Sequence, residues 1–310
     1  MGRVSAVHHV AMGVKDLETM QSFYRDILGF TEVFAEFDEA EQELMHEVVR
    51  SSRVVFGGVM LSQRAGGIML ELIRRTDPVA RPIRKDFRYG DIGVAKITIA
   101  VPDAGMLYEE LKGNVDFSSE PKVASVPGRG DYAFVYVRDP EGNLVELAAT
   151  GPSTAVDGFG GICSIGLAVT DLERSLSFYR NIPGLEGEAT GVHEGFSGLV
   201  DEISGGEDTR VRSCFLAAES GEGGWIELFE VLQPRGRSIP FSANWGDYGY
   251  LQVGFHCDNV QEMVSYGEGE GIDFLCRPKI MVEGIPEHPG EFVYARDPDG
   301  IPIEFLHIPH

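Results

Sequence analysis

The 310-residue chain is short of positive charge: 26 Lys and Arg stand against 49 Asp and Glu, a formal net charge of −23. That deficit argues against wrapping a nucleic-acid backbone or lying on an anionic membrane, since both surfaces would repel it. Cysteine is scarce too. Cys163, Cys214, Cys257 and Cys276 form no Cys-x-x-Cys pair and no dense framework, which fits a reducing, cytoplasmic setting. No apolar run approaches membrane-spanning length, and the first residues lack the long apolar stretch of an export signal. The glycines fall in turns and linkers rather than in a strand–loop–helix cradle for phosphate. These absences predict a soluble protein and by themselves name no partner.

What the chain does contain is repetition. Asp16-Leu17-Glu18, Phe23-Tyr24-Arg25 and Gly29 return as Asp171-Leu172-Glu173, Phe178-Tyr179-Arg180 and Gly184, all displaced by 155 positions (16 to 171, 29 to 184). The run Phe134 to Gly142 with Glu146 returns as Phe292 to Gly300 with Glu304. Shared spacing over such a span means two copies of one unit. Each copy contains two weaker half-copies, because Asp16 and Asp103, like Asp171 and Asp258, close an apolar run and open a helical segment 87 positions apart. Every half-copy ends on a strand carrying a glutamate: Glu71, Glu146, Glu227 and Glu304. The pattern predicts four modules of strand, helix and further strands, with domains at 1–150 and 162–310 and a turn-rich linker at 151–161.

Local chemistry supports this layout. Asp16 and Asp171 read as helix N-caps, where a carboxylate accepts from free backbone N–H groups. Leu17, Met20, Phe23, Tyr24, Ile27 and Leu28 then give one apolar face, and Gly29 ends the helix. Phe23, Tyr24, Phe178 and Tyr179 are expected in the core. Asp139-Pro140-Glu141-Gly142 and Asp297-Pro298-Asp299-Gly300 are tight turns, whose acids serve the turn rather than a metal.

The residues from His9 to Phe30, with the Arg-Asp-Pro-x-Gly-x-x-x-Glu runs at Arg138 and Arg296, resemble the vicinal oxygen chelate superfamily. That superfamily includes glyoxalase I, bleomycin-resistance proteins and extradiol dioxygenases. The resemblance spans all four modules, and this fold hosts many chemistries. It implies an α+β fold of four βαβββ modules paired into two cup-shaped domains. In metal-using members it also implies ligands from the first strand (His or Gln) and last strand (Glu) of each module, the first seven residues before the helix-opening Asp. Those first-strand positions are His9, Lys96, Ser164 and Leu251.

The N-terminal cup is therefore expected to gather His9, Glu71, Glu146 and Lys96, with Ser164, Glu227, Leu251 and Glu304 in a C-terminal cup that has no imidazole. Alternation in the first strand points Val10, Met12 and Val14 at a helix and His9, Ala11 and Gly13 at a cavity. On this reading His9, Glu71 and Glu146 hold a divalent metal (Zn, Ni, Mn or Fe). Glu71 is ligand or base, and Lys96 is a catalytic clamp or a salt-bridged substitute for the metal. Isomerase- or lyase-like chemistry on a small oxygenated, anionic or aromatic metabolite follows. A metal-free binding or drug-sequestering protein, and an extradiol-type dioxygenase with an atypical iron site, are the alternatives. A homodimer is compatible with the pattern. His8 is expected to point away from His9 and His256 towards a helix, while His46, His193 and His288 fall in connecting segments. Arg74, Arg75, Arg81, Arg84, Lys85 and Arg88 crowd one stretch against the acidic background, either pairing with surface acids or lining a cup rim.

Overall fold

The computed structural model describes residues 2–149, 158–185, 187–188, 190–221, 223–240, 243–281 and 290–308. His288 and residues 150–157 of the expected linker lie outside these. Four modules are present, each opening on a strand that leads into a helix. The opening strands are Val4–Gly13, Gly93–Ala100, Ile162–Ala168 and Gly249–Cys257. The closing strands are Met69–Asp77, Leu144–Ala149, Trp225–Gln233 and Pro302–His307. Opening and closing strands of each module pair in parallel.

Two nine-stranded mixed sheets result, and their composition corrects the expected pairing of modules. Module 1 joins module 4 through antiparallel pairing of Val4–Gly13 with Gly249–Cys257. Module 2 joins module 3 through Gly93–Ala100 and Ile162–Ala168. Each cup thus takes one module from each half of the chain, so neither repeat unit is itself a cup.

The helices begin where the capping chemistry predicts. Asp16, Asp103 and Asp171 accept from the backbone N–H three residues on. In module 4 the cap is Asn259, accepting from Glu262, and not Asp258. The first helix covers only Leu17–Ser22 and continues as a wider π turn over Phe23–Ile27. Gly29 follows at φ +75°, where a side chain would be strained.

One continuous apolar core joins the helix-covered faces of both sheets and includes Val10, Met12, Val14, Phe23, Ile97, Ile165, Tyr179 and Phe255. The opposite faces form two separate clusters, one per cup. Tyr24 and Tyr179 are buried as expected, and each hydroxyl also donates to a turn carboxylate, Asp139 at 3.1 Å and Asp297 at 3.2 Å. Those carboxylates serve their turns: Asp139 accepts from Glu141 and Asn143, Asp297 from Asp299 and Ile301.

Candidate functional site

The cross-pairing divides the predicted residues between two sites. His9 and Glu71 lie in the cup of modules 1 and 4. Lys96 and Glu146 lie in the cup of modules 2 and 3. The single cavity expected for all four does not form, and Glu146 is not a partner of His9.

In the first cup His9 Nε2 stands 3.2 Å from Glu304 Oε2 and 3.6 Å from Glu71 Oε2. The fourth member is Gln252, whose amide donates to Glu304 Oε2 at 2.8 Å and to the Tyr294 hydroxyl at 3.0 Å. Its Oε1 accepts from the indole N–H of Trp245 at 2.6 Å, and since indole nitrogen only donates, this fixes which way the amide points. Leu251, expected at this position, is one residue off. Counting seven back from the true cap, Asn259, lands on Gln252, so the signal was present in the sequence and was lost by capping the helix at Asp258.

Two histidines also differ from expectation. A register shift between Val7 and His9 breaks strict alternation. His8 Nδ1 consequently meets His9 Nδ1 at 2.9 Å, and the His8 ring stacks on His256. His256 shares the parity of Gln252 and is on the cup side. Burial holds the His8 pKa well below its usual value, with His9 and His256 adding to the effect, so His8 stays neutral. A neutral His8 can accept from His9 Nδ1–H, so Nε2 is the His9 nitrogen that faces the carboxylates and donates to them when the ring is protonated.

Charge is out of balance here. Burial opposes the imidazolium of His9, but the hydrogen bond and charge of Glu304 and the charge of Glu71 outweigh it and raise its pKa. Burial pushes Glu71 up to about 7, with His9 opposing and Glu304 adding to the shift. Glu71 keeps 13% side-chain exposure against 9% for Glu304, so it is the carboxylate slightly better placed to meet a bound molecule.

The second cup repeats the arrangement with a built-in cation. Lys96 Nζ bridges Glu146 Oε2 at 2.6 Å and Glu227 Oε2 at 2.7 Å, and all three side chains are fully buried. Thr98, Tyr132 and Tyr136 donate to Glu146, and Ser213 donates to Glu227. Burial opposes the ammonium, yet the two carboxylates outweigh it and raise the Lys96 pKa. Burial likewise opposes the Glu146 carboxylate, and Lys96 with the Thr98 and Tyr136 hydroxyls outweighs that and lowers its pKa. Lys96 is thus charged and engaged on both sides, far from Glu71, which removes it as a general base. Phe134, Phe196, Phe215 and Phe229 fill the rest of this cup. Ser164 sits at the fourth position, with a buried hydroxyl that has no hydrogen-bond partner among the described residues.

A divalent cation fits the first cup by its donor chemistry. Two buried carboxylates and an imidazole form an oxygen–nitrogen set for Zn, Ni, Mn or Fe, and they hold one more negative charge than His9 can neutralise. As arranged, these groups contact one another, and no trio of His, Cys, Asp or Glu among the described residues is spaced as a finished metal site. Gln252 is a weaker candidate ligand, because an amide binds a metal through oxygen and its oxygen is held by Trp245.

The family model for the Glyoxalase/Bleomycin resistance protein/Dioxygenase superfamily matches residues 6–147 and 161–305. Glyoxalase I from Zea mays is similar in structure, with a TM-score of 0.63 at 19% identity, covering 99% of this chain and 92% of that one. A putative dioxygenase from Bacillus subtilis is similar at a TM-score of 0.62 and 14% identity, covering 99% and 86%. At such identities the likeness speaks for the fold alone. No curated protein matches the chain.

Proposed function

The chain belongs to the Glyoxalase/Bleomycin resistance protein/Dioxygenase superfamily, and on that premise we propose that it is a metal-assisted enzyme of isomerase or lyase type. Its substrate would be a small oxygenated metabolite bound in the cup of modules 1 and 4. The observation that carries this reading is internal to the molecule. Equivalent carboxylates in the two cups are compensated by Lys96 in one, while in the other Glu71 and Glu304 share only His9.

His9, Glu71 and Glu304 would hold the metal, and Gln252 orients Glu304 through its amide. The metal, when bound, polarises the oxygen atoms of the substrate as a Lewis acid. Glu71, the more exposed of the two carboxylates, would give up its place as ligand when substrate binds, remove a proton from the carbon beside the substrate carbonyl and return it to the neighbouring atom. His8 holds His9 in the tautomer that presents Nε2. A ring-cleaving oxygenase fits this donor set less well, since a 2-His-1-carboxylate triad needs a second imidazole where Gln252 stands.

Metal analysis of the purified chain tests this. One equivalent of divalent metal per chain is expected, removed by chelation, restored by titration, and lost in His9→Ala. A chain that retains no metal and binds Zn, Ni, Mn and Fe no more tightly than His9→Ala would leave the alternative of a metal-free binding protein in its place.

A further inference from the structure

We propose a second ligand site: a cleft between the two cups that binds an organic anion, with phosphate or carboxylate groups at one end and an apolar or aromatic body at the other. The cleft encloses about 980 Å³, room for a ligand of nucleotide size. None of His9, Glu71, Gln252 and Glu304 lines it, and Trp245, whose indole donates to Gln252, stands between the cleft and that site.

Its position follows from the repeat. The two Arg-Asp-Pro turns, at Arg138 and Arg296, both reach it, and so do parts of the two segments that join modules within each half, 82–87 and 239–240 with 243–245. These are corresponding pieces of the two copies, brought to one cleft. Their chemistry is not symmetrical. The first segment brings Arg84 and Lys85, while the second brings Ile239, Pro240, Ala243 and Trp245.

Charge makes the cleft exceptional. In a chain with nearly two acids per base, six basic side chains line it against three acidic ones. All three acids are engaged elsewhere. Asp86 pairs with Arg237 at 2.8 Å, Asp299 with Arg174 at 2.6 Å, and Glu141 accepts the backbone N–H of Lys15 at 2.8 Å. Of the cations, Arg84 leans on Asp91 and Arg296 on Asp273, both at 3.7 Å. Arg138 donates to the carbonyl of Gly142 and has no ion pair among the described residues. The side chains of Lys15, Arg50 and Lys85 have no ion pair among the described residues. An exposed lysine in so acidic a protein would ordinarily find a carboxylate. Three unpaired cations in a concavity instead focus a positive field where an anion would settle. Tyr248, Ile239 and the exposed edge of the largely buried Trp245 give the lining apolar surface for the body of such a ligand.

The test uses the full chain and three probes: ATP, benzene-1,2,4-tricarboxylate and inorganic phosphate, followed by calorimetry and by tryptophan fluorescence through Trp245. The comparison protein is the triple variant Lys15→Gln, Arg50→Gly, Lys85→Gln. Arg50 has φ +55°, so glycine there removes the charge without strain. ATP or the tricarboxylate should bind, weaken at least tenfold in the variant, and weaken again as salt is raised. Which of the two binds separates phosphate from carboxylate recognition. Metal content should be the same in both proteins, so failure of this site and failure of the metal reading are separate results. No binding tighter than about 1 mM by either organic probe, or equal binding to the variant, overturns the proposal. Inorganic phosphate binding as tightly as both organic probes overturns the role given to the apolar wall.

Discussion

Gly254 pairs with His9 across the two opening strands of the first cup, and a Cβ built on it would stand 2.1 Å from the imidazole Cε1. Gly166 holds the same place opposite Lys96, where a Cβ would meet the lysine stem at 2.6 Å. Each glycine leaves the space into which the facing side chain reaches across its neighbour. Gly254→Ala should therefore push the His9 ring aside, costing about 1–3 kcal/mol of stability by overpacking. It should also lower metal affinity about tenfold or more, because ring position is part of ligation. Gly166→Ala should carry a similar stability cost and leave metal affinity alone. Denaturant midpoints and metal titrations on the pair measure both effects. Equal metal affinity in Gly254→Ala and the unaltered chain would mean His9 is not a ligand.

At the level of strands and helices, the buried Lys96 connects the two closing strands of its cup through Glu146 and Glu227. Lys96→Met keeps the length and removes the ammonium, leaving two buried carboxylates without a cation. Breaking such a group costs about 3–5 kcal/mol. The loss should depend on pH with a definite sign. A buried carboxylate lacking its cation has a folded pKa raised above the unfolded value, as Glu71 does at about 7. The variant's deficit relative to the unaltered chain should then be smallest below about pH 4 and grow as pH rises towards 7. Urea midpoints at pH 5 and 8, compared with the unaltered chain, check it. A pH-independent loss would mean that Lys96 acts through packing alone. Most of the elements were legible in the sequence: the caps at Asp16, Asp103 and Asp171 and the two Arg-Asp-Pro turns are local chemistry and appeared in place. What local reading missed was a one-residue choice between Asp258 and Asn259, two equally good caps, and that choice hid Gln252. The register shift at His8 was equally invisible, since a bulge depends on the partner strand.

Across the whole molecule, the sequence announces four equivalent modules but not which of them pair. The opening strands have the same pattern of apolar and small residues, so any of them can lie beside any other, and only the folded chain chooses 1 with 4 and 2 with 3. Contacts within each half do exist, but they join helix to turn: Tyr24 with Asp139, Tyr179 with Asp297, and the backbone of Lys15 with Glu141. The sheets are completed only between halves. A fragment of residues 1–161 therefore leaves the opening strands Val4–Gly13 and Gly93–Ala100 with unpaired edges. Those edges can be satisfied by a second copy of the fragment, which would set His9 and Glu71 beside Lys96 and Glu146. In that homodimer the ammonium stands where the metal would, so it should bind no divalent metal. The fragment 162–310 likewise lacks His9. Mixing the two fragments, or expressing them together, should rebuild both cups and restore one metal per pair. Sedimentation and metal titration follow both steps. A fragment of residues 1–161 that is monomeric, cooperatively folded and metal-binding would show that the exchange between halves is not what assembles the site.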